Sequence, residues 1–223
     1  DDEEGGHDLP GLDSGAKAKG ENISARAVDL FRATYGGNLS KEDIFYYVYG
    51  VLHSPEYKSR FAFDLRKRLP RVPFASDFWA FSRAGRELAQ WHVGYETVKP
   101  YPLAESSDEL NLGAAKHYKV AKMFFGKKNR EEDRSAIVYN SHVTLSGIPV
   151  EAYEYVVNGR PAIEWLMDRY QVTIDKDTGI ANDPNDWSDD PKYIVNLVKR
   201  VVTVSLETMK IVKTLPPLNE RRA

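Results

Sequence analysis

The sequence predicts an α+β fold: a helical N-terminal part, then a small mixed region with antiparallel strands, closed by a long C-terminal helix. Three observations carry this. Apolar residues recur at helical spacing from residue 23 to about residue 98. After residue 113 the period changes to alternation. From Asp190-Pro191 to about Lys213 the apolar steps are helical again. With 223 residues, 42% of them apolar and 12% aromatic, the chain is long enough for one ordinary domain, or two small ones, with a real core.

Residues 1–22 lack an apolar period and are rich in Gly and charge, as in a linker or disordered tail. A helix over about 23–35 would place Ile23, Ala27, Leu30 and Phe31 on one face, and Gly36-Gly37 would stop it. Ser40, three residues before Asp43, opens a second helix with a loose capping box and the apolar stripe Ile44, Val48, Val51 and Leu52. "HSPEY" restarts the chain: Ser54 as N-cap, Pro55 at the first helical position, Glu56 on the positive end of the dipole. Tyr57, Phe61 and Leu65 then share one side. "LPRVPF" must be extended, because proline lacks an amide donor and biases its predecessor away from helix. A fourth helix, from near Ser76, carries Phe78, Phe81, Leu88 and Trp91.

Residues 99–113 read as a joint between the helical part (23–98) and the mixed part (114–215), with 216–223 as a tail. In the mixed part Tyr118, Val120, Lys122 and Phe124 alternate, as do Ile137, Tyr139, Val143 and Leu145, which predicts strands around a charged hairpin loop "GKKNREEDRS". Asn158-Gly159 marks a tight turn, and Pro161 opens a short helix holding Ile163, Trp165 and Leu166. "VTIDKDTGIAN" suits a small hairpin. The last element is rich in β-branched residues, so a strand around 200–205 competes with the helix that its proline start and its length favour.

Cys is absent, which excludes disulfides, thiolate zinc sites and cysteine nucleophiles and suits a reducing, cytoplasmic setting. No apolar run approaches the ~18 residues of a membrane span, and no signal peptide opens the chain. The first residue is Asp, as expected of a piece of something longer. The net charge of −2 hides an uneven distribution. Residues 58–71 hold six Lys/Arg against one Asp, residues 116–130 six Lys/Arg and no acid, and residues 172–190 six Asp against one Lys. Such asymmetry lets a nearly neutral chain present a basic face, although charge alone favours solvated surface for each run.

Phosphate-loop, dinucleotide, nucleophile-elbow and zinc-protease motifs are absent from the sequence. The five His (His7, His53, His92, His117 and His142) have no second His at metal-ligand spacing. Asp175, Asp177 and Gly179 form a turn and lack the ligand spacing of a calcium loop. No catalytic constellation and no metal site is expected. The remaining chemistry is that of nucleic-acid recognition. Lys119, Lys122, Lys127, Lys128, Arg130 and Arg134 can neutralise phosphates, and Asn140, Ser141, His142 and Thr144 can address base edges from a strand or loop. Tyr118, Phe124 and Phe125 could stack on bases or fill the core. The expectation is that these cations gather on one face.

"EDIFYYVYGVLHSPEYKSRFAFDLRKRLPRVPF" and "FWAFSRAGRELAQWHVGYE" resemble the segment that follows the methyltransferase in type ISP restriction–modification enzymes, which are helicase-like single polypeptides. "YEYVVNGRPAIEWLMDRY" and "IVNLVKRVVTVSLETMKIVKTLP" are similar to the closing part of the same C-terminal specificity domain, so the resemblance spans roughly 23–215. It implies a target-recognition module that binds double-stranded DNA and is not itself an enzyme. It also implies a parent polypeptide with nuclease, ATP-driven translocase and adenine-N6 methyltransferase parts, which would use ATP, Mg2+ and S-adenosylmethionine. Residues 23–98 would then be a scaffold adjoining the methyltransferase. Arg66, Arg68 and Arg71 would pair either with DNA phosphates or with carboxylates of the methyltransferase, and the partners implied are duplex DNA and the methyltransferase and helicase domains of the same polypeptide.

Overall fold

The computed structural model describes residues 22–65, 71–107 and 113–221. Nearly all of the expected N-terminal tail, together with Arg66 and Arg68, lies outside the described residues.

The helical half holds α1 (Ala25–Tyr35), α2 (Lys41–His53), α3 (Pro55–Arg60), α4 (Ala62–Leu65) and α5 (Phe78–Val93). Their starts are written in the capping chemistry. Ser40 and Asp43 cap α2 reciprocally, Ser54 accepts the Tyr57 amide ahead of Pro55, and Asp77 accepts the Ala80 amide at 2.9 Å. Tyr47 stacks on Phe78 at 4.7 Å between centroids, at the centre of a core that includes Phe31, Ile44, Val51, Tyr57 and Phe81. The backbones of α2 and α5 touch there. A Cβ on Gly50 would lie 2.2 Å from the Phe81 carbonyl oxygen, and one on Gly85 would lie 1.8 Å from that of Tyr46.

Two helical expectations are corrected. In α1 the buried face is Val28 and Phe31, while Leu30 is 53% exposed, because the helix meets its neighbours along one narrow stripe. The helix after Pro55 does not continue to Leu65. It breaks at Phe61 (φ −105°, ψ 15°), whose ring stays with Tyr57 at 4.8 Å while Phe63 and Leu65 turn outwards.

Leu69 and Pro70 of "LPRVPF" lie outside the described residues; residues 71–75 are not helical, and tyrosine hydroxyls hold them. Tyr57 donates to the Arg71 carbonyl at 2.8 Å, Tyr47 to the Pro73 carbonyl at 2.6 Å, and Tyr35 to the Ala75 carbonyl at 2.7 Å. Alternate carbonyls of an extended chain point the same way, so three phenols on three helices can serve as the ladder that the prolines cannot make. On the other side Ala75 bridges Glu220, and the Leu218 side chain enters the helical core. Residues 216–221, read as tail, are therefore packed, because Leu218 finds an apolar site and its amide donates to Glu56 at 2.7 Å.

The mixed half contains β1 (Ala104–Ser107), α6 (Ala114–His117), β2 (Phe124–Lys128), β3 (Glu131–Val138), β4 (Val143–Ser146), β5 (Val156–Val157), β6 (Arg160–Pro161), α7 (Ala162–Arg169), β7 (Thr173–Ile174), β8 (Ala181–Asn182) and α8 (Tyr193–Lys213). β1, β4, β3 and β2 form one antiparallel sheet in that order, and the other strands pair as two small hairpins. Ile137, Val143 and Leu145 face a core completed by Tyr139, Ile163, Leu166 and the Ile194–Val202 side of α8. Residues 200–205 are helical, since burial of Val202 and Val204 outweighs β-branched propensity.

Three strand expectations change. Residues 118–123 are not a strand: Tyr118, Val120 and Met123 bury themselves without pairing. The joint supplies the edge strand β1, whose "AESS" has no apolar alternation to betray it. The joint is also strapped along α8, with the Tyr101 amide on the Lys199 carbonyl at 3.1 Å, Thr203 on the Lys99 carbonyl at 2.9 Å, and Lys199 paired with Glu105 at 2.7 Å. The "GKKNREEDRS" loop is almost wholly strand, with a turn of only Asn129 and Arg130. No helix among the described residues is long and apolar enough to cross a membrane.

Candidate nucleic-acid interface

β3 sets the geometry of the candidate residues. Its seven steps from Glu131 to Val138 span roughly 23 Å at ~3.3 Å per residue. Lys127, Lys128 and Arg130 lie at one end, and Lys119, Asn140, Ser141 and His142 follow its other end. The cations fall into two groups, one at each end of this strand. The strand that separates them in sequence also separates them in space.

At the far end, Asn140 builds the loop. Its amide nitrogen donates to the His117 carbonyl at 2.8 Å and to the Lys119 carbonyl at 3.0 Å. Its amide oxygen accepts the His142 amide at 2.8 Å and the Val143 amide at 2.7 Å. Both ends of the side chain are thus occupied, and Asn140 positions its neighbours instead of facing outwards. The His142 ring stacks near His117, 5.9 Å between centroids, and Ser141 is exposed beside them. Tyr139 braces the same loop from beneath, its hydroxyl on the Tyr118 carbonyl at 2.8 Å. Lys119 reaches Asp183 at 3.4 Å and keeps more than half of its side chain in solvent.

At the hairpin end, β4 pairs with β3 only at Ala136–Val138, so residues 131–133 pair with β2 alone. The hairpin leaves the sheet as a two-stranded ribbon, with Lys127 opposite Glu132 and Lys128 opposite Glu131. A register shift between Phe125 and Gly126 bends it, and a Cβ on Gly126 would crowd that of Ala136 at 3.0 Å. Among the described residues, Lys127, Lys128 and Arg130 make no ion pair. Arg134 differs: it bonds Glu132 and Glu164, both at 2.9 Å, and lies over Phe125 and Tyr153, which fastens the ribbon to α7.

The remaining candidates are dispersed. Lys122 lies over the Phe124 ring, 5.3 Å from its centroid, and that ring is 54% exposed. Phe125 leans on Tyr153, and Tyr118 is buried, so of the three aromatic candidates only Phe124 faces solvent. Thr144 lies on the outer face of the sheet, opposite Val138 and Ser106. Arg71 is exposed on the helical half, with its carbonyl held by Tyr57.

The titratable groups elsewhere are structural. Tyr49 and Thr208 hydroxyls lie 2.7 and 2.8 Å from the two ring nitrogens of His92, and burial lowers its pKa to about 4. Burial also lowers that of His53, whose ring bonds the Tyr49 carbonyl at 2.8 Å. Asp175 accepts the Thr178 amide and hydroxyl and the Asp177 amide, which hold its carboxyl below the usual range and close the turn. Among the described residues, no group of three His, Asp or Glu is placed to hold a metal ion.

Residues 3–197 match the family model of the Type ISP C-terminal specificity domain. No curated protein matches the chain. Three of the similar solved structures illustrate the likeness. The Type ISP restriction-modification enzyme LlaGI, solved as a nuclease-deletion mutant in complex with a DNA substrate mimic, is 43% identical over 82% of this chain and 14% of its own, with a TM-score of 0.73. The ATP-dependent Type ISP enzyme LlaBIII bound to DNA is 40% identical over 89% of this chain and 12% of its own, with a TM-score of 0.78. A DrdV–DNA complex is 35% identical over 87% of this chain and 20% of its own, with a TM-score of 0.75. The chain thus spans a fifth or less of the length of these relatives. Fold, match and similarity agree: the chain belongs to the Type ISP C-terminal specificity domain family.

Proposed function

We propose that this chain reads duplex DNA sequence for a Type ISP restriction–modification polypeptide, directing adenine methylation and ATP-dependent cleavage carried out by other parts of it. ATP, Mg2+ and S-adenosylmethionine would serve those parts, and this chain would bind and specify without catalysing. The observation that carries the reading is the ribbon end of the sheet. Lys127, Lys128 and Arg130, without an ion pair among the described residues, project from a domain similar to solved structures that hold DNA. Lys119 and Lys122 add sequence-independent phosphate contacts, and Ser141, His142 and Thr144 supply further polar groups for base edges. Arg134 and Asn140 act as positioning residues, because their polar atoms are already engaged. The test is selection from a duplex library with a randomised core, followed by sequencing. Enrichment of one motif supports the reading, and retention without enrichment contradicts it.

A second reading has its own observation. The helical half exposes Phe45, Phe63 and Trp79, with Phe63 69% exposed, as a surface covered by the methyltransferase or helicase domains would. Under this reading the chain is a coupling domain that touches DNA little, and it retains no library DNA even at low salt.

A further inference from the structure

The β2–β3 ribbon is a costly element by the standards of the rest of the fold. Residues 127–132 are all exposed, so both faces of the ribbon lack the apolar contacts that normally hold a hairpin. Its turn places two non-glycine residues in the left-handed region, Asn129 at φ 53° and Arg130 at φ 72°. The other tight hairpin turn here, Asn158-Gly159, uses glycine at the second position, where a two-residue turn of this kind is easiest. Gly126 and the Arg134–Glu164 pair anchor the ribbon at its base without burying it. Strain and exposure kept together in this way mark a part retained for contact.

Its chemistry narrows what is contacted. The two lysines of the stem each face a glutamate across the ladder, so the stem can grip a polyanion through its lysines but offers nothing that reads its sequence. The turn differs. Asn129 and Arg130 project beyond the last ladder pair, and their side chains are the two types that make bidentate contacts with purine edges: Asn with adenine N6 and N7, Arg with guanine O6 and N7. A B-form major groove admits a two-stranded ribbon, and Lys127 and Lys128 would then turn towards its opposite phosphate walls.

We propose that the Asn129–Arg130 turn is a specificity-determining element that enters the major groove of duplex DNA and reads adjacent purines. This rests on the DNA reading above and goes beyond it by moving Arg130 from phosphate gripping to base reading and adding Asn129. The strained backbone supplies a clean test. Arg130→Gly relieves the left-handed arginine, so the melting temperature should stay the same or rise by about 2–4 °C. Asn129→Asp keeps a residue that tolerates this backbone but leaves only acceptors, which favours cytosine N4 over adenine.

The probe is a duplex library with a randomised core, applied in parallel to the wild-type chain and both variants. The expected result is a motif in which Arg130→Gly loses a guanine preference at one position and Asn129→Asp changes the preferred base at a neighbouring one. A motif unchanged in both variants overturns the turn's assignment and leaves DNA recognition standing. A wild-type chain that enriches no motif overturns both. A lower melting temperature for Arg130→Gly shows that the arginine serves the turn itself, and counts against the assignment.

Discussion

The His92 Nε2 atom lies 2.8 Å from the Thr208 hydroxyl oxygen, 116 residues away, and this contact ties α5 of the helical half to α8 of the mixed half. Tyr49 holds the other ring nitrogen and Tyr155 stacks on the ring, so the imidazole is held neutral at a junction that would otherwise be apolar. Burial sets its pKa at about 4, against 6.5 for a free histidine. The folded state therefore refuses a proton that the unfolded chain accepts as pH falls from 6.5 to 4, and stability is lost across that window. Because the ring is partly open to solvent, the expected loss is ~1–2 kcal/mol. Urea titrations at pH 7 and pH 4.5 should show it, and His92→Gln should reduce the difference, with His53 among the groups that supply the rest.

The α2–α5 contact tolerates no side chain at Gly50 or Gly85. Gly50→Ala must push α2 away from the Phe81 carbonyl, and its expected cost is ~2 kcal/mol or more. Chemical denaturation should show a lower midpoint with an unchanged slope. A helix-stabilising effect, as at an exposed glycine, would mean that the helices do not meet there.

The three phenols on the extended segment are unequal. Tyr47 is fully buried and serves both the Pro73 carbonyl and the Ala75 amide, so Tyr47→Phe leaves two backbone groups without partners and should cost ~2–4 kcal/mol. Tyr57 serves only the carbonyl of exposed Arg71, where water can substitute. Tyr57→Phe should cost ~1 kcal/mol. Thermal or urea unfolding of the pair gives the ranking.

Much of the fold was legible wherever a local rule had one reading. The Ser40–Asp43 box, Ser54-Pro55 and Asn158-Gly159 all stand where capping and turn chemistry place them. Local pattern failed where tertiary contact decides. Tyr118 and Val120 alternate like a strand but simply bury, and "AESS" pairs at a sheet edge without any apolar signal. The ribbon was hidden for a related reason: a hairpin solvated on both faces has no alternation, so charge made it look like a loop. The basic run of the candidate site was visible in composition, but its division between the two ends of β3 follows from register alone. Asn140 read as a recognition residue because its type can address base edges, and only the four contacts around it show it as a loop builder.

Among the described residues Lys127 and Lys128 make no ion pair, and as successive strand residues they turn to opposite faces of the ribbon. Replacing both by Ala should weaken binding to every duplex alike, whatever its sequence. It should also reduce the slope of log K against log salt by about 2. Competition between specific and scrambled duplexes, with the ratio unchanged, distinguishes this from the altered preference expected of Arg130→Gly.

The salt dependence of binding tests the central claim most directly. With Lys119, Lys122, Lys127 and Lys128 each neutralising one phosphate, affinity for a fluorescent duplex should fall about 100-fold between about 50 and 200 mM salt. An affinity that stays flat over that range, or no binding at the lower salt, would contradict DNA recognition by this chain.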